Sequence, residues 1–456
     1  MKIIILGAGT VGTTLAISLS QEDNDVTVVD NNQSALHHLE EEADIKTVNG
    51  SCSYPNTLVN SGIKEADMVV AVTGSDEINI VSCLISKVLS ENVKTIARIR
   101  ESSYLKDRTK KAIEEGVIPV DIVVSPEKLI TNHIQALIET PGSLQVLEFG
   151  DGLLNLVGVR AIEGGPLIGH EIGDLKKHMP NVDTRVAAIF RKGGAIIPKG
   201  TTTVEAGDEV FFIARRKDAR KVINEMRKKE DPYKYVVIAG GGKIGSALAE
   251  QIEDNHTIKL IEANSEKAKE ISERLVDTIV LEGNVSDKSL LHEENIEECD
   301  VFVAVTNDDE ANVMSCMLAK EMGAHKVIAL INNEAYVDLV QDKGIDVAIA
   351  PSQITIGTFL SELAGDEVVK VHSLRRGAAE AIETIVKEST NGKEDAIGKE
   401  LGNIRLPVGA TIGAIIRKNK AKIAHDDVKL REHDHVILFL TDKKLLPEVQ
   451  QIFSPS

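Results

Sequence analysis

The sequence predicts an α/β protein built of two tandem units, each a Rossmann-like parallel-sheet domain followed by a small strand-rich α+β domain. Three observations support this fold class: an internal repeat, a glycine motif between an apolar strand and a helix in each copy, and short strand patterns after each copy. The 456 residues exceed what one core usually organises. A composition of 42% hydrophobic but only 3% aromatic residues is typical of parallel strands covered by helices on both faces.

The internal repeat aligns the two half-chains along their Rossmann-like regions. Residues 1–30 match 234–262 as strand, glycine turn, helix and second strand, with apolar residues at helical spacing. Those positions are Val11, Leu15 and Leu19 in the first copy and Ile244, Leu248 and Ile252 in the second. Residues 65–89 likewise parallel 298–322. The two half-chains are therefore expected to fold alike.

Changes of pattern divide each half-chain into three segments. Pro126 and Pro351 occupy first-turn positions of apolar helices that connect each Rossmann-like region to a strand-rich region. The predicted segments are Rossmann-like domains over 1–124 and 232–350, connecting helices over 125–143 and 351–365, and small α+β domains over 144–230 and 366–456. The connecting helices carry more apolar side chains than one domain can cover. We therefore expect them to lie between Rossmann domains and to support a homo-oligomer.

Each copy carries the glycine fingerprint of a dinucleotide-binding turn. The first reads Gly7-Ala8-Gly9-Thr10-Val11-Gly12 and the second reads Gly240-Gly241-Gly242-Lys243-Ile244-Gly245. In this motif the first glycine permits a tight turn, the second lets main-chain N–H groups approach a pyrophosphate, and the third allows close packing of helix on strand. A purely structural glycine turn is the alternative for one isolated copy. Recurrence in the same context favours nucleotide binding.

An acidic residue ends the second strand of each copy, Asp30 in the first and Glu262 in the second. A carboxylate at this place accepts hydrogen bonds from ribose hydroxyls and repels a 2′-phosphate. We therefore expect the cofactor to be NAD(H), or an adenosine nucleotide such as ATP or ADP, rather than NADP.

Further candidates follow the fourth and fifth strands, whose carboxyl ends border the same crevice. Thr73 and Gly74 end the fourth strand, although a helix cap or turn residue is the alternative for Thr73. Arg98 lies in an apolar strand, where a guanidinium is costly to bury unless it meets a pyrophosphate or, alternatively, a carboxylate. The aligned position in the second copy is Leu330. The second pocket is therefore expected to hold a dinucleotide more weakly or to bind something else.

Charge and hydropathy exclude several classes of partner. A net charge of −19 disfavours nucleic acid and anionic membrane surfaces. No apolar run approaches the length of a spanning helix, and the N-terminus opens into a strand, so we expect a cytoplasmic chain without direct membrane insertion. The four cysteines lack metal or disulfide spacing and are expected to be structural. For His433 and His435 we favour a solvated strand face over a metal site.

Dehydrogenase chemistry would need an acid/base group and a substrate domain beside the cofactor. No histidine recurs between the halves, and the small domains are short. An NAD-dependent oxidoreductase is therefore the disfavoured alternative, and we expect neither catalytic residues nor an enzyme. A nucleotide-responsive regulator of another transporter or channel is a second alternative, which differs only in its partner.

Together with the two VAVT strands, the ARIR segment and the small domains, the glycine motifs resemble those of the RCK (KTN) nucleotide-sensing proteins. The resemblance covers nearly the whole chain. It implies a homotetramer whose Rossmann domains form a ring beneath a membrane potassium transporter of the TrkH/TrkG type, peripheral at the inner face of the membrane. NAD(H) or ATP/ADP occupancy would regulate ion flux. The resemblance assigns ligand binding to the two glycine motifs, Asp30, Thr73, Gly74, Arg98 and Glu262, and Leu330 departs from it.

Overall fold

A computed structural model describes residues 1–21, 24–340, 343–363, 368–374, 378–388 and 396–453. In this part of the chain the strands form four sheets, and parallel and antiparallel sheets alternate along the sequence. The predicted fold class, two tandem units of a Rossmann-like domain and a small strand-rich domain, is confirmed. The predicted end of the second connecting helix at residue 365 lies outside the described residues.

The first Rossmann domain is a six-stranded parallel sheet flanked by helices. Its strands are β1 (Lys2–Leu6), β2 (Asp25–Asp30), β3 (Lys46–Asn49), β4 (Met68–Ala71), β5 (Lys94–Arg98) and β6 (Ile122–Val124). Its helices are α1 (Thr10–Ser20), α2 (Gln33–Glu42), α3 (Pro55–Asn60), α4 (Asp76–Leu89) and α5 (Asp107–Glu114). The order β3-β2-β1-β4-β5-β6 reverses between β1 and β4. Ligands of such sheets bind at this reversal, outside the carboxyl ends of the strands.

Helix α6 (Pro126–Glu139) leads into the first small domain, an antiparallel sheet in the order β10-β9-β11-β8-β7. Its strands are β7 (Ser143–Phe149), β8 (Leu154–Arg160), β9 (Thr184–Arg191), β10 (Gly194–Ile196) and β11 (Glu209–Arg215). Its helices are α7 (Leu175–His178) and α8 (Arg216–Met226). The charged helix α8 buries Val222 and Ile223 together with Asp218, whereas Arg216, Lys217 and Lys221 are exposed to solvent.

The second Rossmann domain repeats the first, with the sheet order β14-β13-β12-β15-β16-β17. Its strands are β12 (Tyr235–Ala239), β13 (Thr257–Glu262), β14 (Thr278–Glu282), β15 (Val301–Ala304), β16 (Lys326–Leu330) and β17 (Val347–Ile349). Its helices are α9 (Lys243–Ile252), α10 (Ser265–Arg274), α11 (Lys288–Glu293), α12 (Asp309–Met322) and α13 (Glu334–Val340).

Helix α14 (Pro351–Leu363) precedes the second small domain, whose sheet order is β18-β19-β22-β20-β21. Its strands are β18 (Val368–Leu374), β19 (Ala379–Ile385), β20 (Ala410–Arg417), β21 (Lys420–Ile423) and β22 (His435–Leu440), followed by α15 (Leu446–Phe453). This order matches the first small domain strand for strand. Both small domains therefore have one topology.

An ion pair between a partly exposed arginine and a buried aspartate recurs in the two small domains. Arg191 donates from Nε and Nη2 to the two carboxylate oxygens of Asp208, both at 2.8 Å. Arg417 makes the same two bonds to Asp434 at 2.7 Å. Each aspartate is only 1% exposed. A two-point, charge-assisted contact satisfies both ions, which a buried carboxylate requires.

The two small domains share a hydrophobic core. Phe149, Phe190 and Phe211 of the first domain belong to the same buried cluster as Leu374 and Phe439 of the second. The side chain of Gln145 also donates to the main-chain oxygen of Ser373 at 2.9 Å. Neither small domain therefore covers its apolar sheet face alone.

The helix that follows the second Rossmann domain packs on the first. One compact unit of the structure consists of Met1–Leu129 together with α14, and the rest of the chain forms the other. Phe359 and Leu363 of α14 belong to the core of the first domain with Leu15 and Leu19 of α1. The apolar face of α14 is thus covered within one chain. The apolar side chains of α14 therefore do not by themselves indicate an oligomer. The homo-oligomer stays a prediction.

A buried lysine joins the second Rossmann domain to the end of α6. Lys326, the first residue of β16, is 5% exposed, and its Nζ donates to the main-chain oxygens of Leu137 at 3.2 Å and Ser143 at 2.9 Å. The same Nζ lies 5.7 Å from the ring centroid of Tyr233. Burial lowers the pKa of Lys326 to about 7.

Among the described helices, none has the length and apolarity needed to cross a bilayer. All four cysteines are buried and free, as expected of structural residues. Burial raises the pKa of Cys52, Cys83 and Cys299 to about 12. These thiols are therefore protonated and unreactive at neutral pH.

The packing of α14 on the first domain predicts a long-range effect of Phe359→Ala. Removing a fully buried phenylalanine should cost about 3–5 kcal/mol through lost burial and the remaining cavity. Amide hydrogen exchange should therefore show lost protection in α1 and β1, which lie far away in sequence. Gln353→Ala, on a partly exposed position of the same helix, is the control. Loss confined to residues beyond 364 would contradict the packing.

The buried Lys326 predicts a pH-dependent stability. The pKa of this lysine is 10.5 in the unfolded chain and about 7 in the folded chain. Between these pH values the folded chain therefore binds fewer protons than the unfolded chain. Stability should therefore rise as pH increases from about 7 to 10.5. Asp346 and Glu230 oppose the shift, whereas Arg227 and Lys320 add to it.

Lys326→Met should remove this component. Urea unfolding at pH 7 and pH 9.5 should show a gain for the unsubstituted chain that exceeds the variant's by about 3 kcal/mol. Parallel pH curves for the two proteins would show that the lysine is charged in the folded state throughout this range.

Candidate nucleotide-binding site

A cleft of about 580 Å³ opens at the carboxyl edge of the first Rossmann sheet. It lies where the strand order reverses between β1 and β4, the position at which such sheets bind ligands. Its walls come from the ends of β1, β2, β3, β4 and β5. The lining residues are Gly7, Gly9, Thr10, Val11, Asp30, Asn31, Gly50, Ser51, Cys52, Val72, Thr73, Gly74, Ser75, Ile78 and Arg98.

Glycine occurs at the three positions of the first motif for different structural reasons. Gly7 has a φ of +112°, a conformation that L side chains rarely adopt. A Cβ on Gly12 would lie 1.9 Å from the main-chain oxygen of Gly7, so only glycine lets α1 approach β1 this closely. A Cβ on Gly9, by contrast, would meet nothing within 4 Å. The protein itself therefore does not require glycine there, whereas a ligand that approaches the main chain would.

Helix α1 points an uncapped N-terminus into the cleft. Its N-cap is Gly9, which has no side chain to accept the free N–H groups of the first turn. The neighbouring helices α2 and α4 are capped by Asn32 and Ser75. Unsatisfied N–H groups and the positive end of the helix dipole attract an anionic group such as phosphate.

Asp30 supports the glycine turn while it faces the cleft. Its Oδ2 accepts from the N–H of Ala8 at 2.6 Å, and its Oδ1 accepts from the N–H of Asn32 at 2.7 Å. Each carboxylate oxygen has a second lone pair for a further donor. Asp30 can therefore hold the loop and accept a ribose hydroxyl at the same time.

Thr73 and Arg98 meet on the opposite side of the cleft. Arg98 donates from Nη2 to the main-chain oxygen of Thr73 at 2.8 Å. The Thr73 hydroxyl donates to Oδ1 of Asn79 at 2.7 Å and accepts from the N–H of Ser75 at 3.3 Å. Thr73 thus takes part in the turn, whereas the cap of α4 is Ser75.

The Arg98 side chain is half-buried and has no carboxylate partner among the described residues. Its Nε is enclosed and has no hydrogen-bond partner there. Burial lowers the pKa of Arg98, and the nearby Arg100 adds to this, while Glu127 and Asp76 oppose it. The internal salt bridge that was the alternative explanation is absent from these residues. An enclosed, charged donor that faces a cleft fits an anionic ligand.

The second Rossmann domain repeats the turn but not the cation. Gly240 has a φ of +108°, and a Cβ on Gly245 would lie 1.9 Å from the oxygen of Gly240. Glu262 accepts from the N–H of Gly241 at 2.9 Å, as Asp30 does from Ala8. At the position of Arg98 stands Leu330, 4% exposed. The predicted correspondence of the two copies therefore extends to the supporting hydrogen bonds.

Most residues predicted for the first site line the cleft. Ala8 and Gly12 do not, because the first donates to Asp30 and the second packs against Gly7. In the second domain Gly240, Gly241, Gly242, Lys243, Ile244, Gly245 and Glu262 occupy the turn, the start of α9 and the end of β13. The role of these residues in ligand binding stays a prediction.

Sequence reasoning missed the wall that follows β3 and the amide beneath Thr73. Gly50, Ser51 and Cys52 line the cleft because β3 ends beside β2, and the strand-end rule could have identified them. The second copy has an asparagine, Asn312, at the position equivalent to Asn79. This recurrence was the sequence signal that could have identified the amide. The thiol of Cys52 is no nucleophile, because burial and Asp30 raise its pKa to about 12.

The histidines of the second small domain lie differently from the expectation. Strand β22 begins at His435, while His433 precedes it in a turn with a φ of +62°. They therefore do not share a strand face, because a turn residue does not follow strand alternation. His435 Nδ1 lies 2.8 Å from Oε1 of Glu383, which is 1% exposed. No cluster of three potential metal ligands occurs among the described residues.

Two domain families match most of the chain. The TrkA-N domain matches residues 3–126 and 236–351, and the TrkA-C domain matches residues 156–227. A Trk system potassium uptake protein TrkA from Halomonas elongata is 52% identical over 454 residues, which cover 99% of this chain and 98% of that protein. The chain belongs to the TrkA family. The protein of the same name from Vibrio alginolyticus is 49% identical and covers 100% and 99% of the two chains.

Membership of the TrkA family confirms the predicted family, and the names of the relatives support the prediction that the chain is not an enzyme. Solved structures share the fold at lower identity. The GsuK channel bound to NAD has a TM-score of 0.62 and 18% identity, and the match covers 100% of this chain and 79% of that one. GsuK bound to ADP has a TM-score of 0.50 and 17% identity over 80% and 69%.

The dual contacts of Asp30 allow a matched prediction. Asp30→Ala and Glu262→Ala each remove two acceptors of main-chain N–H groups, so both should loosen a glycine turn. Only Asp30→Ala should weaken NADH binding markedly, by about 1–3 kcal/mol, the range for charge-assisted hydrogen bonds to ribose. Calorimetric titration of the full chain measures both. Equal NADH affinities for the two variants would reduce Asp30 to a loop support.

Proposed function

We propose that the chain is a cytoplasmic regulatory subunit that binds NAD(H) or adenine nucleotides and gates a membrane potassium-uptake transporter of the Trk system. The observation that carries this proposal is the first cleft, which gathers an uncapped helix N-terminus, the carboxylate of Asp30 and a half-buried guanidinium that has no carboxylate partner among the described residues. The names of its relatives, Trk system potassium uptake proteins, supply the physiological context.

The chemistry of the lining residues favours a dinucleotide or an adenosine di- or triphosphate. Gly9, the first turn of α1 and Arg98 would hold the phosphates, and Asp30 would hold a ribose. An unmodified 2′-hydroxyl suits Asp30, whereas a 2′-phosphate would be repelled, so NAD(H) is preferred over NADP. The NAD and ADP named in the two GsuK structures support the same ligand class.

The two nucleotide domains are proposed to have unequal roles. Leu330 offers no hydrogen bond where Arg98 offers a charged one. Lys243 adds a cation within the second glycine turn, on a flexible stem. We therefore assign the dominant dinucleotide affinity to the first Rossmann domain. The division of the chain into two Rossmann-like domains, two connecting helices and two small domains, with the predicted bounds, is part of this proposal.

The proposed partner is a transporter of the TrkH/TrkG type, and the proposed assembly is a homotetramer at the inner face of the membrane. A nucleotide can shift the equilibrium between two arrangements of such an assembly only by its differential affinity for them. Regulation of this kind needs no covalent step.

Isolated half-chains are unsuitable for testing this function. A cut between residues 230 and 232 would remove α14 from the first Rossmann domain, whose core includes Phe359 and Leu363. The full chain with single substitutions is therefore the appropriate material, and the repeat supplies the controls.

The predicted effect of Arg98→Leu tests the proposal directly. Loss of a charged hydrogen bond to phosphate, roughly 1.5–3 kcal/mol, should lower NADH affinity about tenfold or more. In proteoliposomes that contain the transporter and the full chain, potassium flux should depend on NADH. The variant should shift that dependence to higher NADH without altering flux in its absence.

Arg100→Leu is the control for Arg98→Leu, because it removes the same charge from a position two residues along the chain. The side chain of Arg100 pairs with Glu127 and does not line the cleft. Its NADH response should match the unsubstituted chain. Nucleotide-independent flux, or failure of the chain to associate with the transporter, would reject the regulatory proposal. Steady NADH turnover with hydroxy acids or aldehydes would instead favour an oxidoreductase.

A further inference from the structure

A fully buried amide lies behind the cleft of the first Rossmann domain. Asn79, in the first turn of α4, is 0% exposed and is not among the cleft-lining residues. A buried amide needs partners for its oxygen and its nitrogen, because each unpaired polar atom would cost free energy. Asn79 finds all of them at the two strand ends that border the cleft.

The Asn79 side chain joins β4 to β5. Its Oδ1 accepts from the N–H of Thr73 at 2.9 Å and from the hydroxyl of Thr73 at 2.7 Å. Its Nδ2 donates to the main-chain oxygen of Arg98 at 2.8 Å. One side chain thus fixes the main chain of both residues that face each other across this edge of the cleft.

The guanidinium of Arg98 completes the arrangement. Its Nη2 donates to the main-chain oxygen of Thr73, the residue whose N–H and hydroxyl Asn79 holds. Arg98 is therefore fixed at its own carbonyl by Asn79 and at its Nη2 by Thr73. Its enclosed Nε has no hydrogen-bond partner among the described residues, and the Arg98 side chain lines the cleft.

The second Rossmann domain contains the same amide without the cation. Asn312 accepts from the N–H and hydroxyl of Thr306 at 2.9 and 2.7 Å, and it donates to the oxygen of Leu330 at 2.8 Å. Asn312 is also 0% exposed. The structural part of the amide's role is therefore common to both domains, and only in the first does it also fix a guanidinium.

We propose that Asn79 is a positioning residue for nucleotide binding, which holds Thr73 and Arg98 so that the guanidinium meets the ligand's phosphates. This inference rests on the proposed nucleotide site in the first domain. Asn79 contacts no ligand itself, so its whole effect on affinity must pass through Thr73 and Arg98. A role of this kind is distinguishable from simple support of the fold.

The test compares four full-length variants with the unsubstituted chain by calorimetric titration of NADH and by thermal unfolding. They are Asn79→Ala, Asn312→Ala, Arg98→Leu and the double variant Asn79→Ala/Arg98→Leu. Asn79→Ala should lower NADH affinity about tenfold. Asn312→Ala should leave NADH affinity unchanged while it lowers the unfolding temperature to a similar degree, since it loses the same hydrogen bonds.

The double variant decides whether Asn79 acts through Arg98. Residues that act through one contact are not additive, so Asn79→Ala should cause little further loss in the Arg98→Leu background. Additive losses, or equal losses for Asn79→Ala and Asn312→Ala, would overturn the inference. Should the alanine variants unfold, Asn79→Ser and Asn312→Ser give the same comparison. Absence of NADH binding by the unsubstituted chain would instead reject the proposed nucleotide site.

Discussion

The candidate site depends on the close approach between the glycine turn and the helix that begins there. Gly12 lies so near the carbonyl of Gly7 that a Cβ would stand 1.9 Å from that oxygen. This approach fixes α1 against the end of β1 and places its uncapped first turn over the carboxyl edge of the sheet. Asp30 then holds the turn from the neighbouring strand through the N–H of Ala8.

The same constraint shapes the second domain, yet the two sites differ in chemistry. Gly240, Gly245 and Glu262 reproduce the turn and its support, and Asn312 reproduces the amide beneath it. The difference in charge lies at two positions, where Leu330 stands in place of Arg98 and Lys243 stands in place of Thr10. The main-chain geometry of the site and the charge of its side chains can therefore vary independently in this fold. A repeat can keep the first, which stability requires, while the second diverges.

The sequence predicted those features that depend on local pattern or on recurrence. The Rossmann-like domains, the glycine turns and the strand-end acids follow from short motifs whose physical reasons are local. The packing of α14 on the first domain was not predictable, because an apolar helix does not reveal which surface covers it. Asn79 was overlooked for a related reason. Its recurrence as Asn312 indicated a shared role, but a polar residue in a helix is usually solvated, and the burial of this one against the ends of β4 and β5 depends on the fold.

Helix α1 connects the candidate site to the second half of the chain. Its first turn faces the cleft, while Leu15 and Leu19 farther along pack in one core with Phe359 and Leu363 of α14. Closely packed side chains cannot shift independently of one another. Helix α14 begins directly after β17, the last strand of the second Rossmann domain. The helix whose first turn borders the candidate site therefore packs on a helix that the other half of the chain supplies.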